Sequence, residues 1–282
     1  MKQSAEPPAF NQAKLWRESS LDDAEFLRAK YRTHSFPPHE HAEYGIGFIE
    51  QGSQAFTLNR STRLIMPAGS VCVINPGELH EGSPATEAGW DYRMMYVSSA
   101  SLQVALSDSL DDLGGVIVHF PDSVIHDDDV LSQLRAAHLC SESRGPSALE
   151  KSTRLTVALK ELTRRYAQKR HQRPPSTVLP GAVKRAREYI DACISSNPSL
   201  GEIAEVAGMS PYHFLRAFKR YVGMAPHAYL IQRRVEIARH LLVKGRPIRS
   251  IAIALGYSDQ AHLSREFRRF YGASPSKVVG NY

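Results

Sequence analysis

The sequence predicts a two-domain α+β protein: an N-terminal β-barrel of the jelly-roll kind followed by helices, then an all-α C-terminal domain. Three observations lead to this prediction. Short apolar segments separated by Gly/Pro turns fill the first part of the chain, helical periodicity begins near residue 127, and one helix-turn-helix pattern occurs twice between residues 199 and 275. At 282 residues, the chain is long enough for two domains that each bury a core.

The repeated pattern places the same residue types at the same spacing in both copies. The copies read Ile203-Ala204-x-x-Ala207-Gly208-Met209-Ser210 and Ile251-Ala252-x-x-Leu255-Gly256-Tyr257-Ser258. In each copy a small alanine lets two helices meet, and a glycine can adopt the left-handed backbone of a three-residue turn. A serine, Ser210 or Ser258, is then placed to cap the next helix. The spacing predicts two helix-turn-helix units, at about residues 199–220 and 247–270.

Residues 181–282, which contain both copies, resemble the DNA-binding domain of the AraC/XylS family of transcription regulators. The two copies, the long helix between them and the closing Gly272-Ala273-Ser274-Pro275 carry the resemblance. It implies a sequence-specific regulator that binds double-stranded promoter DNA and contacts RNA polymerase, with activation as the default. The charge distribution agrees with a DNA-binding domain in this region. Residues 181–282 are basic, with 16 Lys+Arg against 7 Asp+Glu, whereas residues 1–180 are slightly acidic, with 19 Lys+Arg against 22 Asp+Glu.

The second helix of a helix-turn-helix unit enters the major groove, where base edges present distinguishable donors and acceptors. Helical spacing buries one side of each such helix. The outward residues that match the family's reading positions are Tyr212, Leu215 and Arg216 in the first unit and Gln260, Ala261, Ser264 and Arg265 in the second. We expect Lys219, at the far end of the first reading helix, to bind DNA by contacting phosphate. For Arg216 and Arg265, a guanine contact and a phosphate contact remain alternatives.

The N-terminal part, residues 1–125, is the predicted barrel. It begins with a leading arm to about residue 35 and continues with strand-length segments at 44–49, 54–58, 62–66, 70–74 and 92–98, with turns at 51–53, 67–69 and 75–77. His39-Glu40-His41 and Pro76-Gly77-Glu78-Leu79-His80 resemble the two signature regions of a cupin barrel. Regulators of the AraC type commonly carry such a barrel as a sensor domain, which implies a small-molecule effector.

The histidines of these two regions form the candidate effector site. On a strand, His39 and His41 point to the same face and can converge with His80. The predicted ligand-binding residues are His39, His41, Glu78, His80 and Tyr92, and a polar molecule suits them. A metal held by three imidazoles and a purely structural role are the alternatives. Gly45 and Ile46 stand where a metal-binding cupin has a glutamate, so we predict neither metal nor cofactor.

The stretch Trp90-Asp91-Tyr92-Arg93-Met94, where the last of these strand-length segments begins, is a second candidate for the pocket. Alternation places Trp90, Tyr92 and Met94 on one face, and Asp91 and Arg93 on the other. The aromatic face is either the floor of a pocket or plain core. Core is the commoner role of such a stripe.

Residues 126–171 show helical periodicity. Two helices are predicted, and in each of them apolar residues share one face. These residues are Val130, Leu134 and Ala137 in the first helix and Leu155, Leu159, Leu162 and Tyr166 in the second. The second helix begins with the capping box Ser147-x-x-Glu150. The resemblance implies that these helices form a homodimer contact, and the alternative is that they only cover the barrel. Residues 172–180, with three prolines, form the predicted linker.

Composition and motifs leave two rival functions beside the regulator. One is a metal-dependent cupin enzyme fused to a DNA-binding tail, and the other is an effector-free regulator whose barrel serves only assembly. No Ser-His-Asp or Cys-His set is discernible, so we predict no catalytic residues. Three scattered cysteines fit a reducing compartment, and neither a secretion signal nor a run of about 20 apolar residues is present. A cytoplasmic protein without membrane association is expected.

Overall fold

The computed structural model describes residues 11–18, 24–59, 62–106, 116–171 and 180–276. Contacts divide the chain into two compact units, one formed mainly by residues up to 172 and the other mainly by residues from 173 onward. The predicted linker, except for Pro180, lies outside the described residues.

The N-terminal unit is built on antiparallel strands. They are β1 (Gln12–Glu18), β2 (Ala24–Tyr31), β3 (Phe36–His39), β4 (Tyr44–Leu58), β5 (Thr62–Pro67), β6 (Val71–Ile74), β7 (His80–Pro84), β8 (Trp90–Val97), β9 (Val116–His119), β10 (Val124–Ile125) and β11 (Gln168–His171). Neighbours follow the order β1-β2-β8-β4-β6-β10, while β5 and β7 also pair with β4, and β3 pairs with β7. Strands β9 and β11 form a separate ribbon. The path through the described strands does not close, so the predicted barrel is an open, barrel-like sheet.

The predicted turn at residues 51–53 is wrong, because the longest strand, β4, runs through these residues. Its first half pairs with β6 and β8, and its second half pairs with β5 and β7. A bulge between Ile49 and Gln51 and a φ of 74° at Gly52 interrupt the regular strand. A side chain at Gly52 would overlap the carbonyl oxygen of Gly89 on the neighbouring chain segment. The glycine therefore supplies a bend within one strand, not a turn between two.

Strands β1 and β2 lie within residues 1–35, where the sequence predicted only a leading arm. They pair along their whole length, with Leu15 opposite Leu27, and both leucines are buried. Charged residues at the other positions hid the alternation in the sequence. Two of these charges, on Lys14 and Arg17, form ion pairs with glutamates of the same unit.

The helices of both units follow in chain order. They are α1 (Ser99–Leu106), α2 (Asp128–Glu142), α3 (Ala148–Tyr166), α4 (Gly181–Ala192), α5 (Leu200–Ala207), α6 (Pro211–Val222), α7 (Pro226–Val243), α8 (Ile248–Ala254) and α9 (Gln260–Tyr271). Helices α2 and α3 bury their apolar faces against one side of the sheet, where Val130 and Leu159 share a core with Phe48 and Met95. The structure thus shows the covering role that was one of the two predicted for these helices.

Every regular element described in residues 180–276 is a helix, and the predicted fold class is confirmed. Helix α7 carries a buried stripe of Ile231, Val235, Ala238 and Leu242, which shares one core with α8 and α9. It is the long helix that the sequence predicts between the two copies of the pattern. Among the described residues, no helix is both long and apolar enough to cross a membrane.

Candidate nucleic-acid interface and ligand site

The two turns of the repeated pattern have the same backbone geometry. The glycine of each has a positive φ, 69° at Gly208 and 74° at Gly256. In both units the N–H of the next residue donates to the carbonyl of the alanine in the pattern, at 3.0 Å. Such bonds are typical of a helix that ends at a glycine with a left-handed backbone conformation. The chain therefore leaves α5 and α8 in the same way before it enters α6 and α9.

The caps of the two second helices differ by one residue. At α6 the predicted cap is observed, and the Ser210 hydroxyl accepts from the N–H of His213 at 3.5 Å. At α9 the prediction of Ser258 is wrong, because Asp259 is the cap and accepts from the N–H of His262 at 2.7 Å. Ser258 instead donates to the Asp259 carboxylate at 3.3 Å. The residue inserted in the second copy moves the helix start by one position.

Helix α6 exposes the side that the sequence assigns to DNA. Phe214 is fully buried beneath it, while Tyr212 is 65% exposed. Arg216 and Lys219 are also exposed, and Leu215 is half-buried between the two sides. The Arg216 guanidinium lies 5.7 Å from the centroid of the Tyr212 ring. This cation–π contact slightly stabilises the position of the guanidinium beside the Tyr212 ring.

Helix α9 presents a matching face. Gln260, Ala261 and Arg265 are exposed, and Ser264 is half-exposed. All four share a surface with Arg268, a residue that the sequence reasoning did not select. Its position eight residues after Gln260 returns it to the same side of the helix, which is the signal that could have identified it.

A buried arginine that sequence reasoning also missed joins the second helix-turn-helix unit to the segment that precedes the first. Arg234, on α7, donates to the carbonyl oxygen of Ile194 at 2.8 Å and to that of Ser196. Its guanidinium also lies 5.5 Å from the ring of Tyr257, which follows the turn of the second unit. The residue thus joins the segment after α4, the spacer helix and the second turn.

In the N-terminal unit the structure brings two of the predicted histidines together. The rings of His41 and His80 lie 4.9 Å apart, and Tyr96 is 5.2 Å from His41. Nδ1 of His41 donates to the Glu43 carbonyl at 2.7 Å, and Nδ1 of His80 donates to the Glu78 carbonyl at 2.8 Å. These bonds place the proton of a neutral ring on Nδ1 and make Nε2 the acceptor.

The remaining predicted ligand residues have other surroundings. Strand β3 ends at His39, so the alternation that would align His39 with His41 does not extend that far. The Glu78 carboxylate accepts from the N–H of Asn75 at 3.1 Å and so stabilises its own turn. Tyr92 is buried. No group of three or more His, Cys, Asp or Glu side chains suited to a metal ion occurs in the described part of the chain.

A second cluster of rings, which we name the aromatic cluster, comprises Tyr31, His34, Phe36, Trp90 and Tyr92. Tyr31 is at its centre, with ring centroids 4.7 Å from His34, 5.4 Å from Trp90 and 5.8 Å from Tyr92. Tyr31 and Trp90 sit directly opposite each other on paired strands. The sequence reasoning missed Tyr31 because it did not recognise β2.

The aromatic cluster contains buried polar atoms without a hydrogen-bond partner among the described residues. They are the Tyr31 hydroxyl, Nε2 of His34 and the indole N–H of Trp90. Burial, together with the neighbouring Tyr96, raises the pKa of Tyr31, and burial lowers the pKa of His34 to about 4. Burial is also the main cause that raises the pKa of Tyr92. The cluster is therefore electrically neutral near pH 7.

This fold and these two sites define a class of protein, a two-domain regulator with a sheet-based effector domain and a DNA-binding domain that contains two helix-turn-helix units. Residues 23–159 match the AraC-like ligand binding domain, and residues 203–280 match a helix-turn-helix domain family. The chain is 30% identical over 242 residues to YbfI of Bacillus subtilis, an uncharacterized HTH-type transcriptional regulator, and the match covers 85% of each chain. The chain belongs to the AraC family of transcriptional regulators.

Two further comparisons agree with this assignment. The regulatory protein PocR of Salmonella typhimurium is 36% identical over 94 residues, which cover 33% of this chain and 31% of PocR. The structure of an apo ToxT variant from Vibrio cholerae has a TM-score of 0.52 at 12% identity, and the match covers 98% of this chain and 99% of ToxT. At that identity the likeness to ToxT shows the fold alone.

Proposed function

We propose that this transcriptional regulator reads promoter DNA by inserting α6 and α9 into successive major-groove segments. The exposed faces of these two helices are the observation that carries the proposal. Arg216 and Arg265 have the length and planar fork to bind guanine, and Gln260 suits adenine. The spacer helix α7 shares the core of the second unit, which supports a rigid separation of about one DNA turn, roughly 34 Å.

Replacing Arg216 or Arg265 with alanine is expected to cost about 1–3 kcal/mol of affinity for the selected operator and less for random DNA. The reason is that a bidentate arginine contact distinguishes one base, whereas a phosphate contact does not. The operator is first selected from a random DNA pool with the purified chain. Affinities are then measured by fluorescence anisotropy over a range of salt concentrations.

Lys219→Ala is the matched control on α6. It should weaken binding to operator and random DNA equally and reduce the slope of log affinity against log salt by about one. If Arg216→Ala and Arg265→Ala behave like this control, both arginines contact phosphates only.

Activation is the sign of regulation that we propose, through contact with RNA polymerase in the cytoplasm. VirF of Yersinia enterocolitica, a virulence regulon transcriptional activator, is 28% identical over 96 residues and supports this choice. Transcription by purified RNA polymerase from a promoter that carries the selected operator should rise when the chain is added. A fall would identify a repressor.

We also propose that the chain forms a homodimer through the outer face of α3. This face leaves Leu149 75% exposed and Val157 52% exposed, although the opposite face of the helix is buried in the core. Leu149→Glu should convert the dimer to a monomer in sedimentation equilibrium, because the contact would bury an unpaired carboxylate from each protomer. Ser132→Glu, at an exposed position on α2, is the control. Dimers that persist in Leu149→Glu would place the contact elsewhere.

The N-terminal unit is proposed to hold a small-molecule effector without a metal, next to His41 and His80. Solved ToxT with a bound unsaturated fatty acid, which has a TM-score of 0.50 at 13% identity, shows that a protein with this fold holds a small molecule. The buried His80 and the half-buried His41, with rings 4.9 Å apart, support such a site here.

Replacing His80 with alanine is expected to abolish the effector response and to leave basal DNA binding unchanged. A thermal-shift screen over metabolites first identifies compounds that stabilise the chain, since a ligand that binds only the folded state must raise its Tm. These compounds are then tested in effector-dependent transcription, with and without a chelator. An intact response in His80→Ala would move the site away from the histidines, and a response lost on chelation would restore the metal alternative.

A further inference from the structure

We propose that α9 selects one thymine of the operator through a hollow at Ala261, where the C5 methyl group of the base contacts the alanine side chain. The proposal rests on the DNA reading proposed above and names the base that one position of the second helix-turn-helix unit recognises. Arg268, at the far end of the same hollow, binds a phosphate beside this base.

The hollow lies on the exposed face of α9. It has a volume of about 470 Å³ and is lined by five side chains of this one helix, Gln260, Ala261, Ser264, Arg265 and Arg268. Because the exposed alanine is the shortest of the five, it forms the floor of the hollow. The volume is within the roughly 300–1,000 Å³ of small-ligand pockets, so the edge of a base with its methyl group fits.

Ala261 lies at the end of α9 that is expected to reach the bases. The helix begins at Gln260, so Ala261 is its second residue. In a helix-turn-helix unit, the first residues of the second helix contact the base edges. At this position even a short side chain is close to a base.

The chemistry of the hollow favours thymine over the other three bases. The alanine side chain has neither a donor nor an acceptor, so a polar base edge that covered it would lose water without gaining a partner. In the major groove, thymine presents a methyl group beside its O4 acceptor. The half-exposed Ser264 follows Ala261 by three residues on the same helix side, and its hydroxyl can donate to O4. The two side chains together match both groups of one base.

The charge of Arg268 favours DNA as the occupant of the hollow. This arginine is exposed and forms no ion pair with any residue that the structure describes, whereas the next arginine, Arg269, pairs with Glu266 at 3.6 Å. Arg268 also lies two turns after Gln260, away from the end that meets the bases. An unpaired guanidinium at this place suits a phosphate oxygen.

Deoxyuridine provides the first test, because it differs from thymidine only in lacking the methyl group. Each thymine of the selected operator is replaced in turn, and the affinity of the full chain is measured by fluorescence anisotropy. At the position that faces Ala261 the affinity should fall about fourfold. This factor corresponds to about 0.8 kcal/mol, the contribution of one buried methyl group.

Ala261→Gly should remove this fourfold difference, because the methyl group of the thymine then has no side chain to contact. Ser264→Ala is the matched control in the same hollow. It should weaken binding to both operators about three- to tenfold by removing the hydrogen bond to O4, and it should keep the fourfold ratio between them. The ratio compares two operators with one protein, so a change in helix stability cancels. A ratio that persists in Ala261→Gly would overturn the proposal.

Arg268→Ala tests the phosphate contact. It should weaken binding to operator and random DNA equally and reduce the slope of log affinity against log salt by about one. Arg269→Ala is the control and should change the slope less, since Arg269 already pairs with Glu266. Equal changes of slope in the two variants would overturn the role of Arg268.

Failure of the proposed function would look different from failure of the thymine contact. In the first case the chain would select no operator from random DNA. In the second case the chain would select an operator and bind it with the same affinity after every thymine is replaced with deoxyuridine.

Discussion

Replacing Gly256 with alanine is expected to destabilise the C-terminal unit by about 2–5 kcal/mol and to abolish operator binding. Two separate costs add at this position. Gly256 has a φ of 74°, which costs a residue with a Cβ about 1–2 kcal/mol. The new Cβ would also overlap the carbonyl oxygen of Ser195 and lie 2.9 Å from Nη2 of Arg234, and such overpacking costs about 1–3 kcal/mol.

Gly208→Ala is the matched control, because Gly208 occupies the same turn position in the first unit. Its φ is 69°, but the nearest atom to an added Cβ is Nη2 of Arg185 at 4.0 Å. Only the backbone cost of about 1–2 kcal/mol applies there. Urea unfolding of the full chain, with hydrogen exchange of amides in residues 180–276, measures both variants. Equal losses would show that the contact with Ser195 has no energetic effect.

Replacing Arg93 with alanine is expected to destabilise the N-terminal unit by about 3 kcal/mol. The Arg93 side chain is 6% exposed and pairs with Glu50 at 2.9 Å and Glu142 at 2.7 Å. It also lies 3.1 Å from Nδ1 of the buried His138. Burial, and secondly the Arg93 charge, lower the pKa of His138 to about 3, so this ring is neutral. Removal of the arginine takes this partner from Glu50, leaves Glu142 with the more exposed Lys14 and Arg28, and removes the link between α2 and β8.

Arg154→Ala is the control for this second prediction. Arg154 pairs with Glu150 one turn earlier on α3 at 3.0 Å, and the two side chains are 49% and 46% exposed. Such a pair contributes about 0.3–0.5 kcal/mol, so its loss should barely change the Tm. Thermal unfolding at pH 7 measures the loss of stability in both variants. A small loss in Arg93→Ala would mean that the network repacks around the gap.

The same network gives the N-terminal unit an acid dependence. Burial by itself would raise the pKa of the Glu142 carboxyl, but hydrogen bonds from Arg93 and Lys14 outweigh burial and lower the pKa to about 2. A carboxyl with a lowered pKa stabilises the fold fully above its ordinary value of 4.5, and the contribution is lost as the pH falls toward 2. The wild-type chain should lose stability over this range. Arg93→Ala should lose less.

The sequence by itself determined the C-terminal unit almost completely, because its signals are local. A glycine turn, a cap and a buried stripe each depend on residues within a few positions of one another. The capping box of Ser199 and Glu202 is observed with both of its bonds. The misplaced cap at Ser258 is off by one residue, since Asp259 offers the same kind of oxygen acceptor. Family membership followed from this region.

Only the tertiary structure decided which side chains meet in the N-terminal unit. Tyr31 lies opposite Trp90 because β2 pairs with β8. In the sequence, 58 residues lie between Tyr31 and Trp90. Arg93 and Glu142 meet because α2 packs against the face of the sheet that carries Arg93 and Met95. Pairing between distant strands depends on the register of the whole sheet, and a shift of one residue would exchange its two faces. No short pattern in the sequence encodes that register, which is why the histidines and the face with Trp90 and Tyr92 were found, whereas Tyr31 opposite Trp90 was not.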